Sequence, residues 1–257
     1  MIKVGVVGAS GRTGSQVVAA LLESQNSSLH AAIVSPGSAR LGAAVAATAV
    51  CYSSELSALA GSDVVIDFSV PESSLAVATW CAAQRVPVVV ATTGHTLKQL
   101  DSIRALATSI PVVIAPNTSL GAAAVSLLSE VAKQMLGDSF DIEVLEIHHR
   151  GKKDAPSGTA KAIVEPLSRN AEVVFGREGL RKSGEIGVVS LRGGDVAGEH
   201  TVYFLGHGER IELSHRVTSR EVFGRGAVYL AEKARGLKPG VYSARDLLAK
   251  NVGESRA

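Results

Sequence analysis

The chain opens with a short β-forming run, Lys3 to Val7, that feeds directly into Gly8-Ala9-Ser10-Gly11-Arg12-Thr13-Gly14 and then into an apolar-periodic helix from Gln16 to Glu23. Strand, glycine turn and helix in that order severely limit the fold. The glycines permit a tight turn and close approach of backbone to a pyrophosphate, and the helix N-terminus offers N–H groups and a positive dipole end. The spacing is G-x-x-G-x-x-G. It predicts a nucleotide-binding βαβ unit.

The next hundred residues repeat the alternation. Strand-like runs fall at His30–Val34, Asp63–Phe68, Val86–Ala91 and Pro111–Ala115, with helices at Ser73–Gln84 and Leu97–Ala107 between them. Unbroken β-branched runs such as Val64-Val65-Ile66 suit strands buried on both faces, as in a parallel sheet covered by helices. The fold class expected is α/β, with an N-terminal doubly wound Rossmann sheet. Beyond residue 120 the pattern changes. A long helix, Gly121–Leu136, precedes a strand at Phe140–His148, a polar loop at Gly151–Thr159 and a helix at Lys161–Arg169. Runs at Gly187–Leu191, Glu199–Leu205 and Glu209–Val217 read as antiparallel strands, and Gly224–Arg235 as a helix. The expected division is 1–120 for dinucleotide binding and 121–236 for a second, α+β domain, with 237–257 packing back on the first. Val252 to Ala257 reads as a frayed end.

Composition excludes several classes. Of 257 residues, 46% are hydrophobic and 19% charged, so the chain is globular rather than disordered. The 26 basic and 24 acidic side chains leave a net charge of +2, which gives no footprint for nucleic acid. No apolar run approaches the ~20 residues of a membrane helix, and the N-terminus lacks signal-peptide regions. A cytoplasmic protein is expected. Cys51 and Cys81 form no disulfide framework or metal pair. His148, His149, His200, His207 and His215 lack paired ligand spacing, so no metal centre is expected.

The richest chemistry lies in Glu146-Ile147-His148-His149-Arg150-Gly151-Lys152-Lys153-Asp154-Ala155-Pro156-Ser157-Gly158-Thr159. Two histidines, one arginine and two lysines occupy six consecutive positions, 148–153. Such a cationic cluster suits a small dianionic substrate, and histidine shuttles protons near neutral pH. Pro-Ser-Gly-Thr at the start of the next helix supplies a hydroxyl and N–H groups for a carboxylate. After the second strand no carboxylate stands where NAD-binding chains usually carry one. Arg12, Ser35, Ser38 and Arg40 could instead meet a 2′-phosphate, which favours NADPH over NADH.

The block from Glu146 to Ala160 resembles the signature E-x-H-H-x-x-K-x-D-x-P-S-G-T-A of the 4-hydroxy-tetrahydrodipicolinate reductase (dihydrodipicolinate reductase) family. Further similar stretches span almost the whole chain: Val4–Gly14, Asp67–Ser69, Ala91–Gly94, Ala115–Gly121, Arg192–His200, His215–Arg220 and Gly240–Leu248. The resemblance implies an NAD(P)H-dependent oxidoreductase of lysine and diaminopimelate biosynthesis. Such an enzyme reduces 4-hydroxy-tetrahydrodipicolinate, a cyclic dicarboxylate, to tetrahydrodipicolinate with loss of water. It implies a homotetramer built through an open mixed sheet in the C-terminal domain. His148 and Lys152 match the family's acid/base histidine and proton donor. His149, Ser157, Gly158 and Thr159 match its substrate contacts. Gly8, Ala9, Ser10, Gly11, Arg12 and Thr13 match the pyrophosphate loop, and Ala91, Thr92, Thr93, Ala115, Pro116, Asn117 and Thr118 the nicotinamide loops. This chain departs from many members at Val34-Ser35, at Ala91 where a glycine is common, and at Thr118 where an aromatic is common. Two alternatives remain, another two-domain NAD(P) dehydrogenase of amino-acid metabolism and a non-catalytic nucleotide sensor.

Overall fold

The computed structural model describes residues 1–46, 48–169 and 171–254. The chain divides into two compact units, Met1–Ser119 with Arg220–Ala257, and Leu120–Ser219.

The first unit is built on β1 (Ile2–Val7), α1 (Gly14–Glu23), β2 (Ser27–Ile33), β3 (Tyr52–Ser53), β4 (Val64–Asp67), α2 (Pro71–Gln84), β5 (Val88–Val90), α3 (Leu97–Ala105) and β6 (Pro111–Ile114). The second unit supplies α4 (Leu120–Leu136), β7 (Asp141–His148), α5 (Gly158–Val164), β8 (Val173–Phe175), β9 (Ile186–Arg192), β10 (Glu199–Leu205) and β11 (Arg210–Arg216). The chain then returns to the first unit as α6 (Glu221–Ala234), β12 (Gly240–Ser243) and α7 (Ala244–Glu254).

The first sheet has the order β12-β6-β5-β4-β1-β2-β3 and every pairing is parallel. The β-branched runs are buried on both faces: Val64, Val65, Ile66, Val88 and Val89 are wholly inaccessible to solvent. One face packs Val65, Val88 and Val90 against Val77 and Cys81 of α2 and Ile103 of α3. α1 and α6 cover the other. Strand order reverses between β1 and β4, so the loops at their carboxyl ends diverge around a crevice suited to a ligand. α6 belongs to this unit, because it packs on α1, β4, β5 and β6. The return therefore begins at Arg220 rather than near 237. β12 adds a parallel edge strand beside β6, in register from Gly240 opposite Pro111. α7 runs through Glu254, and the rest of the tail expected to fray, 255–257, lies outside the described residues.

The second sheet has the order β11-β10-β7-β9-β8. α4 carries buried Ala122, Val125, Ser126 and Ser129 at i, i+3, i+4 and i+7, a helical stripe that faces the core. The core joins Val125 with Ile142, Val144, Ile163, Leu167, Ile186, Val188, Val202 and Phe204. The Gly187–Leu191 run was expected to pair antiparallel, and the structure corrects this. β9 lies parallel to β7 and β8. The segment between β7 and β9 contains α5 and is long enough for the crossover that parallel neighbours require. β10 does pair antiparallel with both β7 and β11.

Candidate active site

In the first unit the glycine loop lies where the sequence places it. Gly8 has φ +75°, and a Cβ there would fall 2.3 Å from the Phe68 carbonyl oxygen at the end of β4. A Cβ on Gly14 would fall 2.0 Å from the Gly8 carbonyl oxygen. The turn is closed by Gly11 N–H donating to Gly8 O at 2.9 Å, and Ala9 N–H donates to Ile33 O at 3.0 Å. Ser10, Gly11 and Arg12 are exposed, and Thr13 is half-buried ahead of α1. A tight glycine turn at a helix N-terminus fits a pyrophosphate.

The neighbouring loops are tied to the sheet by one buried acid. Asp67, inaccessible at the end of β4, accepts from Thr92 Oγ1 at 3.0 Å and from Ser69 N–H at 3.0 Å. Ala91 N–H donates to Asp67 O, and Ala115 N–H to Val90 O, both at 2.9 Å. Ala91, Thr92, Ala115 and Thr118 are buried, and Thr93 and Pro116 are exposed. Asn117 Oδ1 accepts from Ser119 N–H at 2.8 Å and shapes the turn. Thr118 turns its side chain inward. It is 1% exposed, and its hydroxyl donates to Phe223 O at 2.7 Å. After β2, Val34 is buried, whereas Ser35 and Arg40 are exposed.

In the second unit the site grows out of the core-facing side of β7. Alternation points Ile142, Val144, Glu146 and His148 to one face, and all four are buried. The first pair belongs to the apolar core, and the second pair turns the same face polar. Pairing across the sheet sets His215, His200, Glu146 and Ser190 side by side on four strands, with Arg192 opposite His148. The sequence interval between β7 and β10 conceals this grouping.

Glu146 is fully buried. Its Oε2 accepts from His148 Nδ1 at 2.5 Å and from Arg192 Nη1 at 2.9 Å. Its Oε1 accepts from Arg192 Nη2 at 2.7 Å and from Ser157 N–H at 3.1 Å. Burial pushes this carboxyl up, but Arg192, Ser190, His148 and the Ser157 amide outweigh it and hold the pKa at about 2. Burial lowers the pKa of His148, aided by Lys152 and Arg192 and opposed by Glu146. His200 Nε2 lies 3.2 Å from Ser157 Oγ, and its ring meets that of His148 edge-on with centroids 5.2 Å apart. Burial above all, and then the His148 charge, lower His200 to about 4.

The His–Lys loop is arranged around these groups. Lys152 Nζ pairs with Asp154 Oδ1 at 2.8 Å, which lowers the Asp154 pKa. His149 is half-buried, and its N–H donates to Val196 O at 2.8 Å. Gly158 is exposed and Thr159 half-buried. Ser157 lies at the inner side of this turn. It is 1% exposed, and its Oγ caps α5 by accepting from Ala160 N–H at 3.1 Å while also engaging His200.

Glu146, His148 and His200 offer three ligand-type atoms within 4.8 Å of one another. Both Glu146 oxygens already accept from the Arg192 guanidinium, which meets the carboxylate's charge. The group therefore reads as an acid–base network. Cys81 is fully buried, and burial, with the Asp67 charge, pushes its thiol well up, so it is no nucleophile for a semialdehyde dehydrogenase. Among the described residues, no helix is long and apolar enough to cross a membrane.

The network makes stability pH-dependent. His200 binds its proton less readily in the folded chain, so the stability tied to its neutral ring is full above about 6.5 and is lost as pH falls toward about 4. Glu146 follows in the window from about 4.5 to about 2, because its folded pKa is also depressed. At about 1.4 kcal/mol per unit, the His200 window corresponds to about 3 kcal/mol. Thermal melting should shift down between pH 6.5 and 4, and His200→Asn should flatten that slope. An equally steep slope in His200→Asn would remove His200 from this role.

Residues 2–118 match the family described as dihydrodipicolinate reductase, N-terminus, and residues 121–248 match dihydrodipicolinate reductase, C-terminus. The chain is 43% identical to 4-hydroxy-tetrahydrodipicolinate reductase of Syntrophotalea carbinolica, over 96% of this chain and 99% of that one. It is 44% identical to the protein of the same name from Anaeromyxobacter sp., over 96% and 98%. Its fold is similar to the dipicolinate-bound dihydrodipicolinate reductase from Paenisporosarcina sp. TG-14, with TM-score 0.79, 24% identity and coverage of 95% and 97%. The chain belongs to the dihydrodipicolinate reductase family.

Proposed function

We propose that this protein reduces 4-hydroxy-tetrahydrodipicolinate to tetrahydrodipicolinate with loss of water, in lysine and diaminopimelate biosynthesis in the cytoplasm. The observation that carries the reading is the buried Glu146–His148 pair at the end of β7, directly ahead of the loop that presents Lys152. It stands on a chain whose relatives of that name match along nearly their whole length.

Gly8 to Thr13 receive the pyrophosphate, and the loops at Ala91–Thr93 and Ala115–Thr118 hold the nicotinamide end, Thr118 through its backbone. Bound NAD(P)H supplies the hydride. The exposed Ser35 and Arg40, with Arg12 and without a carboxylate at the end of β2, favour a 2′-phosphate and hence NADPH. His149 and the turn at Gly158 and Thr159 take the substrate carboxylates. His148 and Lys152 supply the proton as the hydroxyl leaves as water. The protein's part is placement and fixed charge.

Homotetramer assembly is supported by the side of the second sheet away from α4. There Val189 and Leu191 on β9 and Leu205 on β10, the two strands that flank β7, are 43%, 47% and 37% exposed. Apolar side chains grouped on an open sheet suit burial against further copies.

The substrate subsite is tested with dipicolinate, a planar dicarboxylate. Calorimetric titration into the NADPH-loaded protein should show binding. His149→Ala and Thr159→Val should each weaken it roughly tenfold or more, as expected for a lost hydrogen bond to a charged group. Undiminished affinity in both variants would place the carboxylates elsewhere.

A further inference from the structure

Arg192 makes a connection that the proton-transfer reading does not use. Its Nη1 and Nη2 grip both oxygens of Glu146, and Nη2 also donates to the Asp154 carbonyl at 2.6 Å. Glu146 holds His148 Nδ1, and the Asp154 side chain holds Lys152. One guanidinium thus spans the strand that carries His148 and the loop that carries Lys152.

We propose that Glu146 and Arg192 are positioning residues for proton transfer: Glu146 fixes the Nδ1–H form of His148, leaving Nε2 to exchange protons, and Arg192 keeps that carboxylate and the Lys152 loop in one register. The inference rests on the assignment of His148 and Lys152 to proton transfer. The hydrogen-bond inventory supports it. Glu146 takes two bonds from the guanidinium, one from the Ser157 amide and one from the Ser190 side chain, and with the bond from His148 every contact to the carboxylate is a donor's. An ionised carboxylate accepts only, so the proton between the two side chains sits on Nδ1. A second feature concerns the other ring nitrogen. Gly198, at φ +154°, backs onto it, and a Cβ there would lie 3.0 Å from Nε2. Residue 198 therefore sets no side chain against Nε2. An ion pair serving stability alone would need neither the tautomer nor the clearance.

The test compares Glu146→Gln, Glu146→Asp and Arg192→Lys, each alone and combined with His148→Gln. It reads kcat, KM, the pH profile and the ¹⁵N shifts of the His148 ring. A glutamine can offer N–H to Nδ1 and so admits the wrong tautomer. Glu146→Gln should lower kcat by about 100-fold or more, by analogy with orienting carboxylates elsewhere. NADPH affinity should stay unchanged, and the ¹⁵N pattern should move toward the Nε2–H form. Because Glu146 raises the His148 pKa, its loss should move the His148 limb of the pH profile to lower pH. Arg192→Lys keeps the charge but loses the fork, and its kcat should fall about tenfold. In the His148→Gln background Glu146→Gln should lower kcat no further, whereas Arg192→Lys should keep the part of its loss that runs through the Lys152 loop. If Glu146→Gln does not fold, Glu146→Asp, which withdraws the same charge by one methylene, decides by the same signals. Unchanged tautomer and pH profile, or an equal loss from Glu146→Gln with and without His148, would overturn the proposal. Full turnover in His148→Gln would instead sink the proton-transfer reading, and the ¹⁵N signal would still decide whether Glu146 orients the ring.

Discussion

Replacing His148 by alanine should lower kcat by about 10²- to 10⁴-fold, the range that a positioned acid–base group contributes. The loss should fall on kcat and leave NADPH affinity near wild type, because His148 lies in the second unit and the glycine loop in the first. His148 is buried, so truncation also removes packing, and it leaves Glu146 Oε2 without one of its donors. Arg192 and the Ser157 amide still hold that carboxylate, so the fold should persist and the kinetic loss be readable. Steady-state kinetics with the melting transition as control checks this. Intact turnover from folded His148→Ala would remove the residue from the chemistry.

Gly14→Ala should strike the other half of the reaction. The added Cβ would meet the Gly8 carbonyl oxygen at 2.0 Å, its carbon at 2.8 Å and Ala9 Cα at 3.1 Å. All three are backbone atoms, so no side chain can swing aside. α1 must back away from the loop, widening the cradle that receives the pyrophosphate. Overpacking of this kind costs about 1–3 kcal/mol. Where the strain is relieved at the expense of ligand contacts, NADPH binding should weaken about 5- to 150-fold. The dipicolinate subsite of the second unit should be unaffected. Fluorescence titration of NADPH reads the first, and an unaltered affinity would show that the loop does not carry the phosphates.

The sequence made the first unit legible because its signals are local. Continuous runs such as Val88-Val89-Val90 declare buried parallel strands, and three glycines at fixed intervals declare the turn. In the second unit the decisive relations are distant. Gly187–Leu191 shows strand character but not its partner, and the parallel pairing with β7 follows from the α5 crossover. β8 has only three residues, too few for a period. At the site, His148 and Lys152 stand out by residue type. Ser157 and Thr118 do not reveal that their hydroxyls turn inward. Arg192 meets Glu146 from 46 positions away. One signal was available. Glu146 and His148 are two apart in a strand, on the face that Ile142 and Val144 commit to the core, and a buried acid there needs a cation.

The most direct measurement is a coupled assay. Aspartate semialdehyde, pyruvate and the synthase that condenses them generate the substrate in place, and nicotinamide absorbance is followed with NADPH and NADH in parallel. Oxidation that requires this protein, is faster with NADPH and collapses in His148→Ala is the expected result. No oxidation with either cofactor, from protein shown to bind one, would contradict the account.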